Sequence, residues 1–161
     1  MDVHYPATGG ARAALVVAED DRFESIVEER TAWLPDPAPY TPGAFFVREL
    51  PALRAVLPAE PAVDLLVVDG YVDLDPEGRP GLGAHVHAEF AVPVVGVAKS
   101  SFRTATHAVP VRRGSATRPL FVTAVGIDVG EAVELVTRMA GPYRLPDALR
   151  RVDALARTRS G

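Results

Sequence analysis

The sequence predicts an α/β domain with a mixed sheet, antiparallel in its first strands and parallel in its later ones, flanked by helices. Three observations carry that expectation. Two β-rich segments, Ala11 to Glu19 and Ser25 to Trp33, flank an acidic turn at Glu19-Asp20-Asp21-Arg22, as in an antiparallel hairpin. Two apolar runs of strand length, Val63 to Asp69 and Pro93 to Lys99, are separated by a polar loop and a helical stretch, the pattern of a βαβ unit. The last third of the chain holds two amphipathic stretches with helical spacing. A length of 161 residues suits one domain over residues 1–161.

The elements follow in order. Met1 to Tyr5 can add a short strand to the hairpin. The Pro-rich stretch from Leu34 to Gly43 excludes helix and central strand, because its prolines lack amide donors and fix φ. A short helix is expected over Leu50 to Leu57, with Pro51 in its first turn. The run ending on Asp69 and the run ending on Lys99 read as parallel strands, with a loop from Gly70 to Gly81 and a helix near Ala84 to Ala91 between them. Their carboxyl ends then share the sheet edge at which open α/β folds bind ligands. His107 to Arg112 and Pro119 to Val125 are later strands. Asp128 is placed to cap a helix, with Glu131 in its first turn, that stops at Gly141-Pro142. A final helix starts near Pro146 and turns Leu149, Val152 and Ala156 inward, leaving Asp147–Arg151 and Asp153–Arg157 as i,i+4 surface pairs.

Composition removes several function classes. The chain has no Cys, which excludes a disulfide scaffold and any thiolate metal site. No apolar run approaches the roughly 18 residues of a membrane span, and the first residues lack the basic and apolar regions of a secretory leader. A cytoplasmic protein that does not engage a membrane is expected. Of 17 basic residues, 16 are Arg, so Lys99 stands out. Charge is also polarised: residues 1–98 carry 6 basic and 16 acidic side chains, and residues 99–161 carry 11 and 5. A basic half beside an acidic cluster suits a phosphate backbone approached through a divalent cation.

Three acids stand where oxygen ligands could converge on a hard cation: Asp2 on the first strand, Glu49 at a loop-helix junction and Asp69 at a strand end. Spacing alone leaves alternatives open, since Asp69 could cap a loop and Asp2 could be a frayed terminal charge. The segment Asp73 to Gly78 imitates half of a calcium loop but has Ala84 at the twelfth position, so it reads as a solvated turn. His85 and His87 are two apart, which on a helix points their rings away from each other. No nucleophile elbow or Walker A stretch is present, and Ser100-Ser101 has no nucleophile motif around it.

Five blocks, in order along the chain, resemble the endonuclease V family, the deoxyinosine 3′-endonucleases. They are Pro39-Tyr40-Thr41-Pro42-Gly43 with Arg48-Glu49-Leu50-Pro51, Asp64 to Gly70, Gly81-Leu82-Gly83-Ala84-His85, Gly96-Val97-Ala98-Lys99-Ser100, and Gly141 to Asp147. The resemblance covers essentially the whole chain. It implies a ribonuclease H-like fold, and a Mg²⁺-dependent monomer, accepting Mn²⁺ as substitute, that cleaves DNA 3′ to a deaminated purine in DNA repair. Asp2, Glu49 and Asp69 would then be catalytic metal ligands, with Lys99 facing the phosphate. Tyr40 and Pro42 would form a wedge that opens the duplex, and Gly43, His85 and Ser100 would be further nucleic-acid contacts. With no Asn or Gln in the chain, base edges would be read by backbone groups.

The sequence departs from the family pattern at four places. Tyr71-Val72 follows Asp69-Gly70 where the family has His-Gly, and Asp75-Pro76 stands for a His-Pro. The Gly-His that ends the family's Pro-Leu-Phe strand falls on Val125 and Gly126, leaving a His near the catalytic water without a counterpart. The family's N-terminal helix and most of its first strand precede the residue aligned with Asp2. Two alternatives therefore accompany the main reading: an inosine-specific endoribonuclease, and a catalytically weakened nucleic-acid-binding module of the same fold.

Overall fold

The computed structural model describes residues 1–58 and 61–158. Strands β1 (Asp2–His4), β2 (Ala11–Ala18) and β3 (Ile26–Leu34) form an antiparallel sheet in the order β1-β2-β3. Helix α1 (Phe45–Val56) follows, then β4 (Leu66–Asp69), α2 (Leu82–Phe90) and β5 (Val94–Ala98). The chain continues through β6 (Val109–Val111), β7 (Leu120–Val125), α3 (Val129–Arg138) and α4 (Asp147–Arg157). The second sheet has the order β4-β5-β7-β6. The two sheets meet at β1 and β4, where the Met1 amine donates to the Val67 carbonyl at 2.8 Å. An apolar cavity of about 680 Å³ lies along that seam, between β2 and β4.

The expected α/β class and element order are met, with local differences. The β2–β3 hairpin closes where Asp20 accepts from the amides of Arg22, Glu24 and Ser25 at 2.6 to 3.2 Å. Strands β4 and β5 are parallel as expected, and the intervening α2 makes the crossover. Strand β7 instead runs antiparallel to both β5 and β6. The short connection between β6 and β7 permits only a hairpin, since a parallel return needs a crossover of a dozen or more residues. Helix α1 begins at Phe45, five residues before the expected Leu50, and contains Pro51 in its interior. The missing amide of Pro51 faces the exposed side of the helix, where Val47 is 47% exposed, so water can serve the freed carbonyl. Asp128 caps α3 as expected, accepting from the Gly130 and Glu131 amides.

Among the described residues, two large apolar clusters and a small third one form the core. Val56, Leu53, Val68, Val86 and Val94 pack between α1, α2 and the sheets, and Val95, Val122, Leu120, Ala132 and Val136 pack between α3 and the second sheet. On the first sheet, Val152 and Ala156 of α4 bury Ala14. Among the described residues no helix is long and apolar enough to cross a membrane.

Loops at the second sheet are tied by one buried cation. Arg113, 6% exposed, donates to the carbonyls of Tyr143 at 2.7 Å, Gly141 at 3.1 Å and Met139. Beside it, Gly114 has φ +58°, and a Cβ there would sit 2.2 Å from the Pro142 carbonyl oxygen. Arg113→Ala leaves the buried Met139 carbonyl and two half-buried carbonyls without their donor and is expected to cost about 1–3 kcal/mol, read by denaturant unfolding. A loss below about 0.5 kcal/mol would show that water replaces the guanidinium.

Candidate active site

Parallel pairing sets Asp69 opposite Val97, so the ends of β4 and β5 present Asp69 and Lys99 on one edge. The Lys99 Nζ donates to Asp69 Oδ2 at 2.6 Å. A glycine makes this edge close-packed: a Cβ on Gly96 would lie 2.6 Å from both the Gly70 carbonyl and Thr123 Oγ1. Thr123 in turn accepts from the Val72 amide at 2.8 Å, which fixes the loop leaving Asp69.

Glu49 arrives from α1. The buried residues of that helix are Glu49, Ala52, Leu53 and Val56, an i, i+3, i+4, i+7 stripe in which one member is an acid. It lies in the second turn of α1, not at the loop-helix junction expected, because the helix starts earlier. Asp2 comes from β1, held in register opposite Ala14. Asp2, Glu49, Asp69 and Lys99 all line one cavity of about 570 Å³.

A fourth carboxylate enters from α4. Asp153 stands 3.5 Å from Lys99 Nζ and accepts from Arg157 at 2.9 Å. The Asp153–Arg157 pair expected on the surface does form, but at the cavity wall. The available signal was that Asp153 follows Val152, a residue of the inward stripe. The expected Asp147–Arg151 pair gives way to Asp147–Arg150 at 3.6 Å, because Arg151 turns to Glu29 on β3.

The electrostatics are those of buried acids crowded together, with Lys99 and Arg157 offsetting only part of their charge. Burial, then the charges of Asp2 and Asp69, push Glu49 up to about 9, with Arg48 only partly opposing. Burial, then Asp69, raise Asp2 to about 6. Burial works against the Lys99 ammonium, but its bond to Asp69 and the charges of Asp69, Asp2 and Asp153 outweigh that and hold its pKa above the ordinary lysine value. The Arg157 bond keeps Asp153 below the usual carboxylate range. Among the described residues no three His, Asp or Glu side chains converge closely enough to enclose an ion as they stand. The donor set nevertheless fits a hard divalent cation: it is all oxygen, and its mutual repulsion is what such an ion relieves.

Aromatic rings frame the cavity. Tyr40, 60% exposed, meets Phe45 edge-on at 6.2 Å, and Tyr71 meets Phe102 at 6.0 Å on the other side. Gly43 and Ser100 also line the cavity, and the Ser100 carbonyl accepts from the Tyr71 hydroxyl at 2.7 Å. Pro42 lies in the exposed turn beside Gly43, outside the lining. His85 also lies outside it, stacked at 3.6 Å on Phe46, which does line the cavity. The supposed vacancy at Val125 and Gly126 is corrected by strand direction. Because β7 is antiparallel to β5, Val125 pairs with Val94 at the strand end opposite Lys99, and Gly126 abuts His87 and Pro93. A residue there does not reach the acids, and the additional side chain at the cluster is Asp153.

A family model described as endonuclease V matches residues 1–154. Endonuclease V of Streptomyces coelicolor is 34% identical over 180 residues, an alignment covering 98% of this chain and 76% of that protein. The endonuclease V of Rhodospirillum centenum is also 34% identical, over 89% of this chain and 68% of its own. The crystal structure of Streptomyces avermitilis endonuclease V superposes with a TM-score of 0.79 at 28% identity, covering 97% of this chain and 77% of that one. Ciona intestinalis endonuclease V, in complex with a 23mer DNA containing an inosine followed by a ribo-adenosine, shares the fold with a TM-score of 0.80 at 17% identity, over 97% and 81% of the two chains. With that match spanning nearly every element described, the chain belongs to the endonuclease V family and is a nuclease.

Proposed function

We propose that this nuclease cleaves a phosphodiester 3′ to a deaminated purine in DNA, using Mg²⁺ held by Asp2, Glu49 and Asp69, with Asp153 as a further oxygen donor. The observation that carries the reading is the gathering of these acids and Lys99 in one cavity walled by aromatic rings. The Ciona relative's complex with inosine-containing DNA supports the substrate class. When bound, the divalent ion polarises phosphoryl oxygens, lowers the pKa of a water and neutralises the leaving oxygen.

The chain's own residues supply the rest. Burial and the neighbouring acids favour the protonated Glu49 carboxyl, so a divalent ion held there would compete with that proton and its binding would strengthen as pH rises. Lys99 is held between Asp69 and Asp153, which aims its ammonium at a phosphate entering the cavity. Tyr40 and Phe45 stand exposed at the mouth, where a ring can replace the stacking lost by a displaced base. Arg157 partly neutralises Asp153 and keeps the wall from repelling the backbone.

The test is cleavage of an end-labelled duplex carrying one deoxyinosine, with Mg²⁺, Mn²⁺ or EDTA, beside a matching inosine RNA. Metal-dependent nicking 3′ to the lesion is expected. Faster cleavage of the RNA would move the assignment to the endoribonuclease reading, and no cleavage of either strand type with either metal would overturn the proposal.

A further inference from the structure

Strand β5 ends at Ala98, whose ladder partner is Phe121, so the carbonyl of Lys99 lies just beyond the sheet's hydrogen bonding. One side chain takes over there. The Arg144 guanidinium donates from Nη2 to the Lys99 carbonyl and to the Pro119 carbonyl at 2.9 Å, and from Nε to the Arg118 carbonyl at 3.0 Å. Three carbonyls on two strand ends are thus satisfied by one planar fork, which an ammonium could not span. Arg144 is itself placed by the loop between α3 and α4, the loop that Arg113 pins through Met139, Gly141 and Tyr143.

We infer that Arg144 is the positioning residue for Lys99: it clasps the frayed end of β5 to the start of β7 and so fixes the backbone from which the Lys99 ammonium reaches Asp69. The inference rests on the role given to Lys99 above. Two features argue for positioning and not for general stability. The bonds of Arg144 go to the backbone of a site residue and its immediate sheet neighbour, not into either apolar cluster. Lys99 has a long, flexible side chain, so without a fixed backbone its Nζ, 2.6 Å from Asp69 and 3.5 Å from Asp153, could settle on either acid.

The experiment is a double-mutant cycle. Arg144→Ala and Arg144→Lys are made alone and with Lys99→Ala, and each is assayed by single-turnover cleavage of the deoxyinosine duplex and by duplex affinity. Hydrogen exchange of residues 96–102 is followed alongside. Arg144→Ala is expected to slow cleavage about 10- to 100-fold with duplex affinity changed less than about threefold, and Arg144→Lys, the variant kept should the alanine form fail to fold, is expected to fall between. In the Lys99→Ala background the further loss from Arg144→Ala shrinks to within about threefold. Exchange at residues 96–102 speeds up while β2 stays protected. Equal losses in both backgrounds would reduce Arg144 to a structural residue, and a loss confined to affinity would make it a nucleic-acid contact. Wild-type cleavage by Lys99→Ala alone would instead strike the role of Lys99, with exchange still reporting whether the clasp exists.

Discussion

Glu49→Gln raises the stability of the metal-free protein and destroys its activity. Glutamine keeps the shape of a side chain that is 6% exposed but removes its ionisation. The sign follows from the raised pKa. A carboxyl whose folded value is about 9, against the ordinary 4.5, contributes fully below about pH 4.5, and that contribution is lost progressively as pH climbs toward 9. In EDTA the wild-type melting temperature therefore declines from pH 5 to pH 9, with Asp2, raised to about 6, adding to the fall. The Gln variant declines less and melts about 2–4 °C above wild type at pH 7, for a gain on the order of 1 kcal/mol. Its cleavage rate falls by about 10²-fold or more, since each 1.36 kcal/mol of lost transition-state stabilisation is tenfold. Thermal scans at three pH values with single-turnover assays check both halves. A variant less stable than wild type at pH 9 would show that Glu49 is ionised and well paired.

Asp69→Asn is expected to show the largest loss of cleavage, about 10³-fold or more, with Mg²⁺ affinity reduced in parallel by calorimetry. Asp69 is the acid on which the cluster turns, since its charge acts on Asp2, Glu49 and Lys99 alike. Asparagine preserves a hydrogen-bond acceptor for Lys99, so the fold persists and circular dichroism is unchanged. Cleavage within about tenfold of wild type would remove Asp69 from the proposed ligand set.

Much of this site was legible in the sequence because two of its residues end apolar runs. A strand buried on both faces has no reason to finish on a charge unless the charge reaches a functional edge, and both Asp69 and Lys99 do so. Glu49 was legible from its block, although its position on a helical apolar stripe was hidden by taking Pro51 as a helix start. Asp153 was hidden because an amphipathic helix hides its neighbours' function: at i,i+4 from Arg157 it satisfied a surface pattern completely. The direction of β7 was illegible from periodicity, which is the same for either sense of the chain. That sense decides whether Val125 and Gly126 lie near the acids. Arg113 carried no signal in a chain whose cations are nearly all Arg, and Arg144 fell inside the Gly141 to Asp147 block without a role of its own, since only the carbonyls they reach distinguish them.

The acids that meet in the cavity come from positions 2, 49, 69 and 153, and α4, which carries the last of them, packs Val152 and Ala156 on Ala14 of the first sheet. Such widely separated contacts form late, because chain closure over that distance precedes any reward. During synthesis Asp153 is added long after Asp2, Glu49 and Asp69, so a nascent chain that has not yet reached α4 holds three of these four acids and lacks the Asp153 wall of the cavity.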